Sequence, residues 1–140
     1  MINPYEIVSK STLPAIRAMV ARRLREKYHL TQQQIAAKLE VTQASVSNYA
    51  RKARGVMINL ETDPVVAKTA DRIADMLAKE NPDQREVVQA MTELCDYIRF
   101  SHLMCTLHAD LEPGFPVEGC DACGGVFTGK EFERLKIIAG

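Results

Sequence analysis

The sequence predicts an all-α chain. A basic multi-helix N-terminal unit leads into one long helix with an apolar stripe, then a small Cys-rich tail with a short last helix. Three observations predict it. Thr31, Thr42, Asp63-Pro64 and Asn81-Pro82 each stand just before apolar residues at helical spacing, and no strand–helix alternation interrupts them. The 18 Lys+Arg and 18 Asp+Glu of the 140 residues are unevenly placed: residues 1–60 hold ten basic and three acidic side chains, residues 61–140 eight and fifteen. The halves therefore carry +7 and −7, which suggests a polyanion-binding half and a half with another task. Six of the seven glycines lie at or after Gly114, and the four cysteines at or after Cys95, so the tail is built differently from the rest.

Each element follows from local chemistry. Residues 4–10 read as a short helical turn. A firm helix is expected from Pro14, with Ser11 or Thr12 as its cap, because proline's missing N–H has no intrahelical partner in a first turn. Leu13, Ile16, Val20 and Leu24 share its apolar face. Thr31-Gln32-Gln33-Gln34 fits a capping box, with the threonine oxygen and the Gln34 side chain each serving the other's backbone N–H. Ile35, Ala36 and Leu39 follow as its buried face. After a very short break at Glu40-Val41, Thr42 caps a helix that turns Val46 and Tyr49 inward and ends near Gly55. Asp63-Pro64 opens a helix to about Glu80, and Asn81-Pro82 opens the next. In that helix Val87, Val88, Met91, Leu94, Cys95 and Ile98 form one stripe, either an intramolecular seam or half of a dimer seam. The pattern blurs over 100–108, residues 109–129 read as loop, and Thr128 caps a last helix with Phe132, Leu135 and Ile138 on one face.

The sharpest signal is Thr31 to Arg54, TQQQIAAKLEVTQASVSNYARKAR. Two helices stand about three residues apart, with small Ala36 where they cross and Val46 plugging the second against the first. The pattern LTQxxxAxxLxVTQxxVSxY resembles the helix-turn-helix of the phage-repressor-like (xenobiotic-response-element) regulators. With the preceding LPAIRAMVARRLREKY it resembles the archaeal branch of that class, whose members often carry C-terminal cysteines. The second helix of such a unit lies in the major groove with its N-terminal residues at base edges. Thr42, Gln43, Ala44 and Asn48 then face the bases: Gln43 suits a bidentate pair with adenine, Asn48 has the same chemistry, and the Ala44 methyl meets a thymine methyl. Ser45, Ser47, Arg51, Lys52 and Arg54 are of the types that hold phosphates. By the resemblance Gln32 touches phosphate and braces Gln43. One departure stands out: Glu40 replaces the usual glycine of the turn, a position of positive φ that costs a non-glycine roughly 1 kcal/mol.

Cys95, Cys105, Cys120 and Cys123 are spaced C-x9-C-x14-C-x2-C, and Cys120-Asp121-Ala122-Cys123-Gly124-Gly125 looks like a metal knuckle. Four thiolates fit an iron–sulfur cluster, the first expectation, or a tetrahedral Zn²⁺. A continuous helix from Cys95 to Cys105 would separate the two by about 15 Å. The helix must therefore break near Arg99–Ser101, or the site must draw on two chains. His108 is a substitute ligand or a loop histidine. Singly, Cys95 and Cys105 also read as core filler.

Residues 1–60 are thus expected to be a DNA-binding domain, and 61–140 a helical dimerisation and cofactor-binding region. The expected whole is a cytoplasmic homodimeric transcription regulator on a palindromic double-stranded operator, with a cluster that senses redox or iron/sulfur status. A purely structural zinc site, a zinc-stabilised interaction module and a CxxC thiol oxidoreductase are the alternatives. No apolar run reaches the ~18 residues of a membrane span. No phosphate-cradling Gly loop or Ser/His/Asp pattern points to an enzyme. Asp71, Asp75 and Glu80 are expected on solvated faces.

Overall fold

The computed structural model of the chain describes residues 1–52 and 59–123. The expected last helix, Arg54 and Gly55 lie outside these residues, as does the side chain of Lys52. Among the described residues the regular elements are helices: α1 (Pro4–Ile7), α2 (Leu13–Tyr28), α3 (Gln32–Leu39), α4 (Gln43–Lys52), α5 (Pro64–Ala78), α6 (Gln84–Phe100) and α7 (Cys105–Leu111).

The firm helix does start near Pro14, with α2 opening at Leu13, but helical turns already precede it. Asn3 caps α1 by accepting the Tyr5 N–H, and a single π turn, Val8–Thr12, carries the chain into α2. Neither Ser11 nor Thr12 is a cap: Thr12 has helical φ and ψ, and its side chain makes no capping bond. The reason is Pro14 itself. In an uninterrupted α-helix its ring would press on the carbonyl four residues back and leave that oxygen without a donor. The π turn widens the backbone there, and Leu13 N–H bonds the Val8 carbonyl, five residues away. The other expected starts hold, with one shift. Asp63 accepts the N–H groups of Val65 and Val66 at 2.9 and 3.1 Å, opening α5. In α6 the cap is Asp83, whose Oδ1 accepts the Arg85 N–H, so Asn81-Pro82 belong to the connection.

One core runs through the described chain. Ile16, Met19, Val20 and Leu24 of α2 meet Ile35 of α3, Val46 of α4, Leu60, and Val66, Ala70 and Ile73 of α5. Leu94 and Ile98 of α6 and Met104 and Leu107 near α7 continue the same cluster. α2 packs along α5, and α3 and α4 pack on each other and on α2. The stripe of α6 is therefore largely an intramolecular seam: Val87, Leu94, Cys95 and Ile98 are buried, Met91 is half-buried, and Val88 remains 62% exposed. No helix is long and apolar enough to cross a membrane among the described residues.

Charge joins the two halves. The Arg23 guanidinium forks onto both Glu61 carboxylate oxygens at 2.7 and 2.8 Å and also bonds Asp71. Arg22 reaches the same Glu61 at 2.6 Å, and Asp75 accepts from Lys27 at 2.8 Å and Tyr28 at 2.5 Å. Asp71 and Asp75 do stand on a solvated face, their side chains 58% and 45% exposed, and from there they also link α5 to α2. Three of the N-terminal basic residues are thus paired within the chain, Arg23 largely buried and Arg22 and Lys27 at the surface.

Candidate nucleic-acid interface and cysteine cluster

The geometry from Thr31 to Lys52 begins with its capping. Thr31 Oγ1 accepts the Gln34 N–H at 3.1 Å and Gln34 Oε1 accepts the Thr31 N–H at 2.9 Å, which completes the capping box. The helix ends at Glu40, whose φ of 55° and ψ of 44° are left-handed. Val41 N–H reaches back to the Ala36 carbonyl at 3.0 Å, closing the turn as a Schellman-type cap. Glu40 also accepts from Gln84 Nε2 at 2.9 Å, which ties the turn to the start of α6. Lys38 Nζ donates to the Lys79 carbonyl at 2.7 Å, just past the end of α5.

Thr42 starts α4. Its Oγ1 accepts the Ser45 N–H at 3.1 Å and pairs with Ser45 Oγ at 2.7 Å. These hydroxyls, expected at base and phosphate, hold one another in a cap while Thr42 stays exposed. Gln43, Ala44, Ser47 and Arg51 are also exposed, Asn48 is half-buried, and Val46 is buried beneath them. Gln32 is exposed at the start of α3, and among the described residues no hydrogen bond joins it to Gln43. An exposed polar helix start is thus braced by an apolar plug and a second, shorter helix. Residues 22–62 match a helix-turn-helix family model. No curated protein and no solved structure matched the chain. The helix-turn-helix match supports a sequence-specific DNA-binding transcription regulator.

The cysteines divide. Cys95 is buried on α6, and burial followed by the Asp96 charge pushes its thiol up to about 12. The other charges acting on it are Arg17 and Arg99, not a thiol. Cys105, Cys120 and Cys123 instead act on one another: after burial, Cys120 raises the Cys105 thiol, and Cys105 and Cys120 raise Cys123, against Arg99. All four are free. Among the described residues no group of three or more His, Cys, Asp or Glu side chains is gathered closely enough to hold a metal ion. The helix does break where the spacing requires, with α6 ending at Phe100 and His102 at φ 64°. The break does not bring Cys95 to the other three. A four-cysteine site would require α6 to release Cys95 from the core. His108 is engaged elsewhere: Nε2 lies 2.9 Å from Glu112, and its ring stacks on Phe115 at 3.9 Å.

Sequence reasoning did not foresee the contact between His102 Nδ1 and Cys105 Sγ at 3.7 Å. A histidine three residues before a cysteine is visible in the sequence, but the left-handed backbone that turns it toward Cys105 is not. It also missed the bonds from Glu40 and Lys38 to the C-terminal half, which join residues more than forty positions apart.

Proposed function

We propose that the chain is a homodimeric transcription regulator that reads a palindromic DNA operator through α4, with a metal-holding cysteine region in its C-terminal half. The observation that carries the reading is the exposed face Gln43, Ala44, Ser47 and Arg51 on a helix fixed by Val46, the Thr42 cap and the turn at Glu40. Gln43 reads a base, and Arg51, with Lys52 and Arg54 by sequence, holds phosphate. Most of the α6 stripe is spent within the chain. The dimer contact therefore falls to Val88 and Met91, on the rim of a cleft of about 720 Å³ also lined by Leu39, Val41 and Pro82. That cleft borders the helix-turn-helix turn, so a contact there sets the spacing of two recognition helices, which must match successive major grooves.

Selection of the full chain on random duplex DNA tests the reading. A palindrome should emerge. Gln43→Ala should weaken binding to it by about 10- to 100-fold and relax preference at one position in each half-site. Arg51→Ala should weaken all sequences alike and reduce the salt slope by about one. Failure to enrich any sequence would refute operator recognition, and a monomer at micromolar concentration by light scattering would refute the dimer.

A further inference from the structure

We propose that the hollow between α2 and α6 binds a small amphipathic monocarboxylate, its carboxylate at Arg99 and its apolar chain along Val88 and Met91. The inference goes beyond the operator reading and does not depend on it.

The site begins with spacing on one helix. Val88, Met91, Cys95 and Arg99 recur at steps of three and four residues, so they share one face of α6. From Val88 to Arg99 that face runs about 16 Å. Val8 of the π turn and Leu13 of α2 form the opposite wall, and the space between is about 380 Å³. Arg17, Val88 and Met91 also line the cleft of about 720 Å³ beside the helix-turn-helix turn, so the two spaces form one groove. Small-molecule sites have volumes of roughly 300–1,000 Å³ and are mostly apolar, with a few placed polar groups. Among the described residues nothing covers this wall: Val88 is 62% exposed and Met91 half-buried.

The charge in the hollow names the ligand. Arg17 and Arg99 both line it, and neither has an ion-pair partner among the described residues. Arg22 and Arg23, further along α2, are each held by a carboxylate. The rings of Tyr5 and Phe100 flank Arg99, its guanidinium carbon 5.1 Å from each centroid. Such rings hold a guanidinium in place but offer its N–H groups no in-plane acceptor. The Arg99 Nε is buried without a hydrogen-bond partner among the described residues. A guanidinium left without an acceptor is unfavourable, and a carboxylate matches its fork with two parallel bonds.

The remaining groups fix the orientation and the charge. Asp96 lines the same hollow, and two arginines against one carboxylate leave a single positive charge. That balance suits a monoanion better than a dianionic phosphate. At the other end of the groove Lys38 and Glu40 are engaged, with the Lys79 carbonyl and Gln84 Nε2. The charged end of the ligand therefore belongs at Arg99, and its apolar end points along Val88 and Met91 toward Leu39 and Val41.

Calorimetric titration of the full chain with octanoate tests the site. One octanoate per chain should bind with a Kd below about 1 mM. Acetate, which lacks the apolar chain, and octylammonium, which reverses the charge, should each bind at least about 10-fold more weakly. Arg99→Gln should weaken octanoate by at least about 10-fold at wild-type helix content by circular dichroism. Thr92→Trp, at an exposed position on the wall of the hollow, should fill the space and block octanoate without touching Arg99. Amide shifts during the titration should centre on Val8, Leu13, Met91 and Thr92. No binding of octanoate at that concentration, equal affinity for octylammonium, unchanged affinity in Arg99→Gln or Thr92→Trp, or shifts centred elsewhere would each overturn the proposal. Oligomeric state and operator selection are read separately, so a monomer that binds octanoate would refute the dimer and leave this site standing.

Discussion

Thr12 is an apolar position occupied by a hydroxyl. It is fully buried in the π turn, and its Oγ1 has no hydrogen-bond partner among the described residues. A buried polar group left unmade costs about 1–3 kcal/mol, whereas an apolar group of the same shape costs nothing comparable. Thr12→Val keeps the β-branch and removes the orphan. It should raise stability by about 1–2 kcal/mol, read as a higher denaturant midpoint at unchanged slope. Glu40 is the opposite case, a residue whose backbone is strained and whose side chain has work. Its left-handed φ of 55° is tolerable for an unbranched side chain that also bonds Gln84. Glu40→Val adds a β-branch at positive φ and deletes the bond, so it should cost about 1–2 kcal/mol. Glu40→Gln, which keeps an amide oxygen in place, should stay near wild type. If Glu40→Val melted with wild type, the turn would not depend on this residue.

At the scale of elements, capping carries most of the legible information. Thr31, Thr42 and Asp63 are short polar residues before apolar periodicity, and each accepts backbone N–H groups as that pattern implies. A cap is local, so a sequence window contains all its atoms. The π turn before Pro14 was not legible, because proline in a sequence marks a helix start as readily as a widened turn within a longer helix. The stripe of α6 was visible, but not what covers it: periodicity shows that Val87, Leu94 and Ile98 share a face, and only packing shows that α6 buries that face inside its own chain. In the cysteine region, spacing found the thiols and left a helix break or a two-chain site open, and the stripe offered Cys95 as core filler beside its reading as a ligand; packing decides, with α6 ending at Phe100 and Cys95 buried. The capping box offers a clean check at this scale. Thr31→Ala removes the acceptor for Gln34 N–H and should cost about 1 kcal/mol. Operator affinity should fall with it only as far as α3 frays, since Gln43 and Arg51 are untouched. A loss of affinity larger than the loss of stability would mean that Thr31 itself touches DNA.

Across the whole molecule, the formal neutrality of the chain is partly an internal neutralisation. Arg22, Arg23 and Lys27 belong to the basic half, yet their partners Glu61, Asp71 and Asp75 belong to the acidic one. The excess left for DNA is therefore carried by fewer groups than the +7 implies, Arg51 among them. The pairs also set an acid limit on the fold. The hydrogen bond from Arg23 holds the Glu61 carboxyl below its ordinary 4.5 despite burial, and attraction to Arg23 and Arg22 adds to it. Lys27 and Tyr28 likewise hold Asp75 below its ordinary 3.8. A carboxyl whose folded value is depressed stabilises the fold fully above its unfolded value. That contribution drains away as pH falls through the folded one. Wild type should therefore be steady from pH 7 to about 5 and lose stability below the ordinary carboxylate value of 4.5. Glu61→Gln keeps the shape but not the charge. At pH 7 it should be weaker by about 1–2 kcal/mol, for the loss of a forked, partly exposed charge-assisted pair. Its stability should fall less steeply in acid, so that the two proteins converge as Glu61 protonates. Parallel curves for wild type and variant between pH 6 and pH 3 would show that the link from α2 to residue 61 does not govern the acid response.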